Sequence, residues 1–310
     1  MKLSKLVCYF FISNLILIGS VNATAKETVA STDKDTVFDM HMHYKWSQKE
    51  VTSPEQAIQY LADQNISHAV VIGKPAKNAL LLQKLAPEKV IAIYSPYRDS
   101  QDWYRWQRNE KVLVDARKAL ASGEYKGVGE LHILGGGFAR KLDSSNVLSG
   151  LLKLVQEYDV PIMIHTEFSK SNYMLAICEK NPNSKIIWAH AGAILKPDQV
   201  DEVMGKCPNV WGGMAARDPW RYVGNQHTDE AGKLLPEWKA LMIKYADRFL
   251  VGSDTVWPVD QLDGWSEPDT GWEQLGRFWG FHRSWLAQLP DDVAIKIKRD
   301  NAMKLFKVKQ

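Results

Sequence analysis

Short apolar runs alternate with amphipathic stretches along most of this chain. The runs fall at 37–43, 69–73, 90–95, 127–134, 160–165, 185–190, 210–214 and 249–253, eight in all. Most are continuous and rich in Val and Ile, as expected of parallel strands buried on both faces. Helical segments with readable starts lie between them. Ser53 precedes Pro54 at the first helical position and stands three residues before Gln56, and Ala57, Ile58, Leu61 and Ala62 follow at helical spacing. Residues 146–158 show the same spacing in Val147, Leu148, Leu151, Leu152 and Val155. Further helices are expected near 76–86, 109–122, 198–205, 235–246, 272–288 and 292–306. Strands that alternate with helices over about 275 residues predict an α/β fold, a single-domain (β/α)8 TIM-like barrel. A doubly wound open sheet is the alternative, but no Gly-x-Gly-x-x-Gly follows the first run.

The barrel is expected over 37–310. Ahead of it, 24–36 is polar without apolar period and reads as a flexible leader. Residues 1–23 carry Lys2 and Lys5, an apolar run over 6–18 and small residues ending at Ala23. That is the pattern of a signal peptide cleaved after Ala23, or alternatively after Ala25, which predicts a periplasmic or secreted protein. Ser13 and Asn14 interrupt the run, which is short for a stable membrane anchor.

The net charge of the 310-residue chain is +3, with no basic or acidic tract, which argues against a nucleic-acid partner. A small-molecule substrate is expected, and a homodimer is left open. Of three cysteines, Cys8 leaves with the signal. Cys178 and Cys207 are able to pair in an oxidising compartment, and two free buried thiols fit the sequence at least as well.

Candidate chemistry gathers where the runs end. The first run ends in His41-x-His43, and the period of two puts both imidazoles on one face, a two-pronged grip for zinc or a similar ion. The fourth carries Glu130 and His132, the fifth and sixth end in His165 and His190, and Asp254 follows the eighth. Any one of these is most simply a hydrogen-bonded core residue or an ion-pair partner. Five strand ends that all offer metal-ligand residue types point instead to a metal site at the barrel mouth, where such barrels place their chemistry. His132, two residues from Glu130, reads as either a supporting group or a substrate contact. His68 is expected at the opposite end of the barrel, and His227 and His282 as solvent or packing residues. Long connections follow the seventh and eighth runs; Trp257, three residues past a strand end, is the tryptophan expected to touch a ligand. Arg98, Arg140, Arg217 and Lys74 also follow strands and are candidates to bind a carboxylate or phosphate. The Gly135-Gly136-Gly137 stretch lacks the Lys-Ser/Thr of a phosphate loop and reads as a flexible loop over the site.

The ordered motifs HMH, GVGELH, MIHTE, WAHAG, GSDT and NAMKLF resemble those of the amidohydrolase superfamily, in its amidohydrolase-related branch of metal-dependent hydrolases. The resemblance spans about Val37 to Phe306. It implies a distorted (β/α)8 barrel and metal-assisted hydrolysis of an amide, ester, lactone or phosphoester. It also implies His41, His43 and Asp254 on one divalent ion and His165 and His190 on a second, with Glu130 bridging where some members carry a carboxylated lysine. Single-metal members use the first pair, the fifth-strand histidine and the last aspartate, which leaves His190 as a catalytic or orienting group. Glu130 favours two ions. The expected reaction is attack of metal-activated water on an ester, lactone or amide of a small molecule, with Asp254 as general base. The alternatives are nonoxidative decarboxylation of an acidic small molecule at a single-metal site, and an exported metal- or solute-binding protein without turnover.

Overall fold

The computed structural model describes residues 35–46, 48–99, 101–133, 145–166, 169–221, 224–255 and 271–308. The expected signal segment, nearly all of the leader, the triple glycine, Arg140 and Trp257 lie outside the described residues.

Eight strands appear where the apolar runs predict them: β1 Val37–Lys45, β2 Ile66–Lys74, β3 Val90–Tyr94, β4 Tyr125–His132, β5 Ile162–His165, β6 Ile186–Trp188, β7 Val210–Gly213 and β8 Phe249–Leu250. All pair in parallel, in sequence order. After β8 the chain turns back against β1, where the Met40 N–H donates to the Val251 carbonyl (3.0 Å) and the Asp254 N–H to the His41 carbonyl (2.7 Å). The sheet is therefore a nearly closed (β/α)8 barrel.

The helices α1 Pro54–Asp63, α2 Lys77–Leu85, α3 Asp102–Arg105, α4 Lys111–Ala121, α5 Asn146–Glu157, α6 Ser171–Lys180, α7 Pro197–Lys206, α8 Pro236–Lys244, α9 Leu275–Leu286, α10 Asp291–Ile295 and α11 Asn301–Leu305 surround it. The start of α1 is as predicted: the Gln56 N–H donates to Ser53 Oγ (3.1 Å) and the Ser53 N–H to Gln56 Oε1 (2.8 Å). The predicted 292–306 helix is broken by a π-turn at Lys296–Asp300. Among the described residues no helix is long and apolar enough to cross a membrane.

Two apolar layers hold the barrel together. Leu, Val and Trp side chains of the helices pack on outward-facing strand residues such as Met42, Val71, Leu131 and Ile164. Phe38, Met40, Val70, Ile72, Ile93, Met163, Ile187 and Leu250 fill the interior, with Met303, Leu305 and Phe306 closing its lower end. Each such side chain contributes ~1.5–3 kcal/mol on burial. Above this plug the interior becomes polar, which confines the chemistry to one end.

One irregularity sets the orientation of β1. Asp39 pairs with Ala69 but Met42 with Val71, so β1 carries one extra residue opposite β2. Strict alternation would send Asp39 inward with His41 and His43. The bulge turns it outward, where it accepts from Trp279 Nε1 of α9 (2.9 Å), the His41 N–H (3.1 Å) and the Ser253 N–H (3.0 Å). Gly252 permits this close seam, because a Cβ there would lie 2.7 Å from the His41 nitrogen.

α6 was not among the helices expected from the sequence. Its stripe of Met174, Leu175, Ile177 and Cys178 is buried against the barrel, and the helix packs beside α7. That packing brings Cys178 and Cys207 to a Cα–Cα distance of 6.0 Å, and the two form a disulfide, which settles between the two sequence readings.

Candidate metal centre

The polar end of the barrel brings all six expected ligand residues together, and His132 with them. Glu130 is the hub. Its Oε1 lies 2.9 Å from His165 Nδ1, 3.5 Å from His190 Nε2 and 3.6 Å from His41 Nε2, and its Oε2 lies 3.1 Å from His132 Nε2 and 3.3 Å from His43 Nε2. Asp254 faces it, with Oδ1 3.4 Å from His43 Nε2 and 3.9 Å from His41 Nε2, and Oδ2 3.8 Å from His190 Nε2. Three overlapping triads each have ligand atoms within 4.8 Å of one another: His41, His43 and Asp254; His41, Glu130 and His190; Glu130, His132 and His165. All seven side chains are buried.

The protonation states of His43, Glu130 and Asp254 suit cation binding, while on His41 a cation would take the place of a proton. Burial, with the Lys74 charge beside it, pushes His43 down to about 3, so its ring is neutral. Burial also works against a proton on His41, but Glu130 and Asp254 outweigh it and raise this ring above its ordinary value. Burial opposes ionisation of Asp254, yet His41, His43, His190 and Arg221 bring it down to about 2. Glu130 is held well below the usual carboxylate range by His132, His165 and His41 against the same desolvation. Neutral rings and ionised carboxylates are the forms that ligate metals.

A divalent ion fits these residues. His41 Nε2 and His43 Nε2 converge to 3.1 Å, while Glu130 Oε1 and Asp254 Oδ1 are buried without an aligned hydrogen bond. Buried polar atoms left in that state are costly, and a cation among them removes the cost. Imidazole nitrogens with carboxylate oxygens form a donor set for zinc and its neighbours in the transition series.

The surroundings fix each ligand. His190 lies beyond β6 on the short turn Ala189–Gly192 with φ +56, and its Nδ1 is 2.8 Å from the Ala215 carbonyl, which places the proton on Nδ1 and directs Nε2 inward. Asp254 also has positive φ (+50). Such a backbone costs about 1 kcal/mol or more and persists only where neighbours enforce it. Arg221 does so: its Nη1 and Nη2 donate to the carbonyls of Asp254 (2.6 Å) and Ser253 (2.7 Å). Its Nε is 3.0 Å from Asp218 Oδ2, and the guanidinium stacks 4.0 Å over Phe278. Thr255 Oγ1 accepts from the His43 N–H (3.1 Å), and Trp272 Nε1 donates to the His43 carbonyl (2.9 Å). Asp218 and Arg221 belong to the long connection after the seventh run, from which the sequence singles out only Arg217. Their spacing of three was the available signal.

The substrate candidates are placed differently. Arg217 does not join the cluster. It is fully buried beneath the His190 turn, where it donates to the carbonyls of His190 (2.9 Å), Ala193 (2.8 Å) and Asn225 (2.6 Å) and stacks over Trp238. Arg98 does not join it either; its Nε and Nη2 are bound to Asp102, at 2.7 and 2.8 Å. His68 stacks on Phe38 in the lower half of the barrel. His227 packs among Trp238, Phe281 and Trp285.

His282 is a packing residue with a measurable consequence. Its Nε2–H donates to the Gly252 carbonyl (2.9 Å) and its Nδ1 accepts from Trp285 Nε1 (3.1 Å), so a second proton has no place. Burial, together with Arg221, lowers its pKa to about 3. The unfolded chain therefore binds more protons between about 6.5 and 3, and folding stability falls as pH drops through that window. From pH 7 to 5 this one group should cost about 2 kcal/mol. Urea unfolding at the two pH values reads the loss, and His282→Gln should flatten the slope.

A family model described as Amidohydrolase matches residues 38–308. No curated protein sequence matches significantly. Among solved structures, a TatD homolog from Escherichia coli K12 is similar at TM-score 0.62 and 16% identity, covering 90% of this chain and 100% of its own. A probable 2-pyrone-4,6-dicarboxylic acid hydrolase from Acinetobacter baumannii, with citric acid bound, matches at TM-score 0.51 and 13% identity, over 87% of this chain and 99% of that one. An amidohydrolase from Burkholderia multivorans with bound zinc matches at TM-score 0.50 and 12% identity, over 88% and 100%. At these identities the likeness is one of fold.

Proposed function

Because the chain belongs to the amidohydrolase family of metal-dependent hydrolases, we propose that its strand-end cluster binds zinc and hydrolyses an ester, lactone or amide of a small molecule, with Asp254 as general base. The observation that carries this reading is the convergence of His41, His43, His165 and His190 on Glu130, with Asp254 opposite. His41, His43 and Asp254 would hold one ion and His165 and His190 a second, with Glu130 between them. When bound, a divalent ion lowers the pKa of water from 15.7 toward ~7 and polarises the oxygen of the scissile group.

The chain supplies the rest. Asp254, ionised at neutral pH, accepts a proton on a carboxylate oxygen and returns it to the leaving group. Arg221 keeps that carboxylate aimed by holding the main chain on both sides of the Ser253–Asp254 peptide. His190, with Nδ1–H fixed on Ala215, presents Nε2 inward throughout. The apolar plug beneath excludes water from below. Export after cleavage of the first 23 residues belongs to the same proposal, and the Cys178–Cys207 disulfide suits an oxidising compartment.

The test is metal content per chain of the purified mature protein, followed by product analysis on an ester, lactone and amide panel. Near two ions with stoichiometric acid product is the expected result. About one ion with carbon dioxide released from an acidic substrate would replace hydrolysis by decarboxylation. A loaded protein with no turnover would make it a binding protein.

A further inference from the structure

Asp39 stands two residues before His41 and is fully buried, yet no step of the hydrolytic reading uses it. Its place is the seam where the barrel closes. The β1–β2 register passes from Asp39 to Met42 and leaves Met40 and His41 out of the pairing, and β8 is only two residues long. Few ladder hydrogen bonds are therefore available where the first and last strands meet. The Met40 N–H donates to the Val251 carbonyl and the Asp254 N–H to the His41 carbonyl, and between these two bonds the Asp39 carboxylate takes the place of the ladder. Its Oδ1 accepts the His41 N–H from one side of the seam (3.1 Å) and the Ser253 N–H from the other (3.0 Å).

Two of the expected ligands depend on this bridge. His41 has its N–H on Asp39 and its carbonyl on Asp254, and the Ser253 N–H on Asp39 fixes the residue just before Asp254. One carboxylate thus sets the separation of two main-chain segments whose side chains, His41 Nε2 and Asp254 Oδ1, come within 3.9 Å of each other in the cluster. The seam is also held from outside. Trp279 Nε1 of α9 donates to Asp39 Oδ2 (2.9 Å), and one turn later His282 Nε2 donates to the Gly252 carbonyl (2.9 Å). A Cβ on residue 252 would lie 3.0 Å from Asp39 Oδ1, so the glycine leaves room for the carboxylate between the strands. An ionised acceptor binds N–H donors about twice as strongly as a neutral one, which suits a bridge of three donors on one group.

We propose that Asp39, oriented by Trp279, is a positioning residue for metal binding: it locks β1 to the segment after β8 and so presets His41 and Asp254 for the ion they share. This rests on the metal-binding part of the reading above.

The experiment is titration of the metal-free protein with cobalt(II), whose visible d–d bands report ligand geometry as well as occupancy, with urea unfolding of the same preparations. In Asp39→Asn a single oxygen faces three N–H donors, and the amide N–H₂ meets at least one of them. This variant should bind the affected ion ~10–100-fold more weakly, the range for groups that orient a ligand, and should change the d–d spectrum. Trp279→Phe leaves both main-chain N–H groups on the carboxylate and should cost less than ~3-fold. Asp39→Asn/Trp279→Phe removes the opposed donor, and should bind cobalt ~3-fold or more tighter than Asp39→Asn. Where Asp39→Asn does not fold, the double variant is compared with Trp279→Phe, and loss of the charged acceptor should weaken cobalt binding by ~3-fold or more; equal binding there overturns the proposal. Wild-type affinity and spectrum in folded Asp39→Asn, with only its urea midpoint lowered, also overturns it, as does a double variant that binds no better than Asp39→Asn. Wild-type protein that takes up no cobalt would overturn the metal-binding reading itself, and this proposal with it.

Discussion

Asp254→Asn should reduce kcat by ~10²–10⁴-fold, the range a positioned general base supplies, while the protein keeps most of its metal. An amide retains an oxygen able to ligate but has no basic site for the proton. In the structure Asp254 is buried, lies 3.4 Å from His43 and 3.8 Å from His190, and is ionised with a pKa of about 2. Its backbone is held by main-chain hydrogen bonds to the His41 carbonyl and from Arg221, whose Nη1 also lies 3.7 Å from the carboxylate Oδ2. The variant should therefore fold and position residue 254 as the wild type does. Steady-state kinetics with metal analysis of the same preparation separates the two effects. Unchanged turnover with metal retained would remove Asp254 from the chemistry; loss of turnover together with metal would make it a ligand alone.

Glu130→Gln should have the larger effect on metal. Glu130 is the residue that reaches both halves of the cluster, with one oxygen near His165, His190 and His41 and the other near His132 and His43. A glutamine retains one oxygen acceptor and places an N–H₂ group where the second oxygen was, and it removes one of the two negative charges that offset the ions. Even groups that only support a ligand are worth ~10–100-fold in metal affinity, and a bridging ligand should be worth at least that. Metal content should fall from near two per chain to one or fewer, and turnover with it. A content near one in the wild type, insensitive to this substitution, would favour the single-metal arrangement and make carbon dioxide release the first assay.

Much of this was legible in the sequence because it follows from local periodicity. Buried parallel strands are continuous apolar runs, and all eight could be located from Val37 to Leu250. His41, His43, Glu130, His165, His190 and Asp254 could be singled out because strand ends in such a barrel share one face of the molecule. Those six residues converge in the structure. Ser53, Pro54 and Gln56 marked the start of α1 because capping involves neighbours three residues apart.

Tertiary structure decided what depends on distant neighbours. The bulge in β1 is a mismatch between two strands, so alternation within β1 alone does not reveal that Asp39 turns outward to Trp279, 240 residues away. The pairing of Cys178 with Cys207 waits on how α6 and α7 pack. Arg217 and Arg221 are both arginines in the loop after β7, and composition does not distinguish them. One is enclosed beneath the His190 turn and the other reaches the main chain at Asp254, because the path of the loop sets which carbonyls each guanidinium meets. His132, with two parts open to it in the sequence, stands beside Glu130 in the cluster. Residue types and periods fix which side chains are offered to the interior; long-range register and packing decide which of them meet.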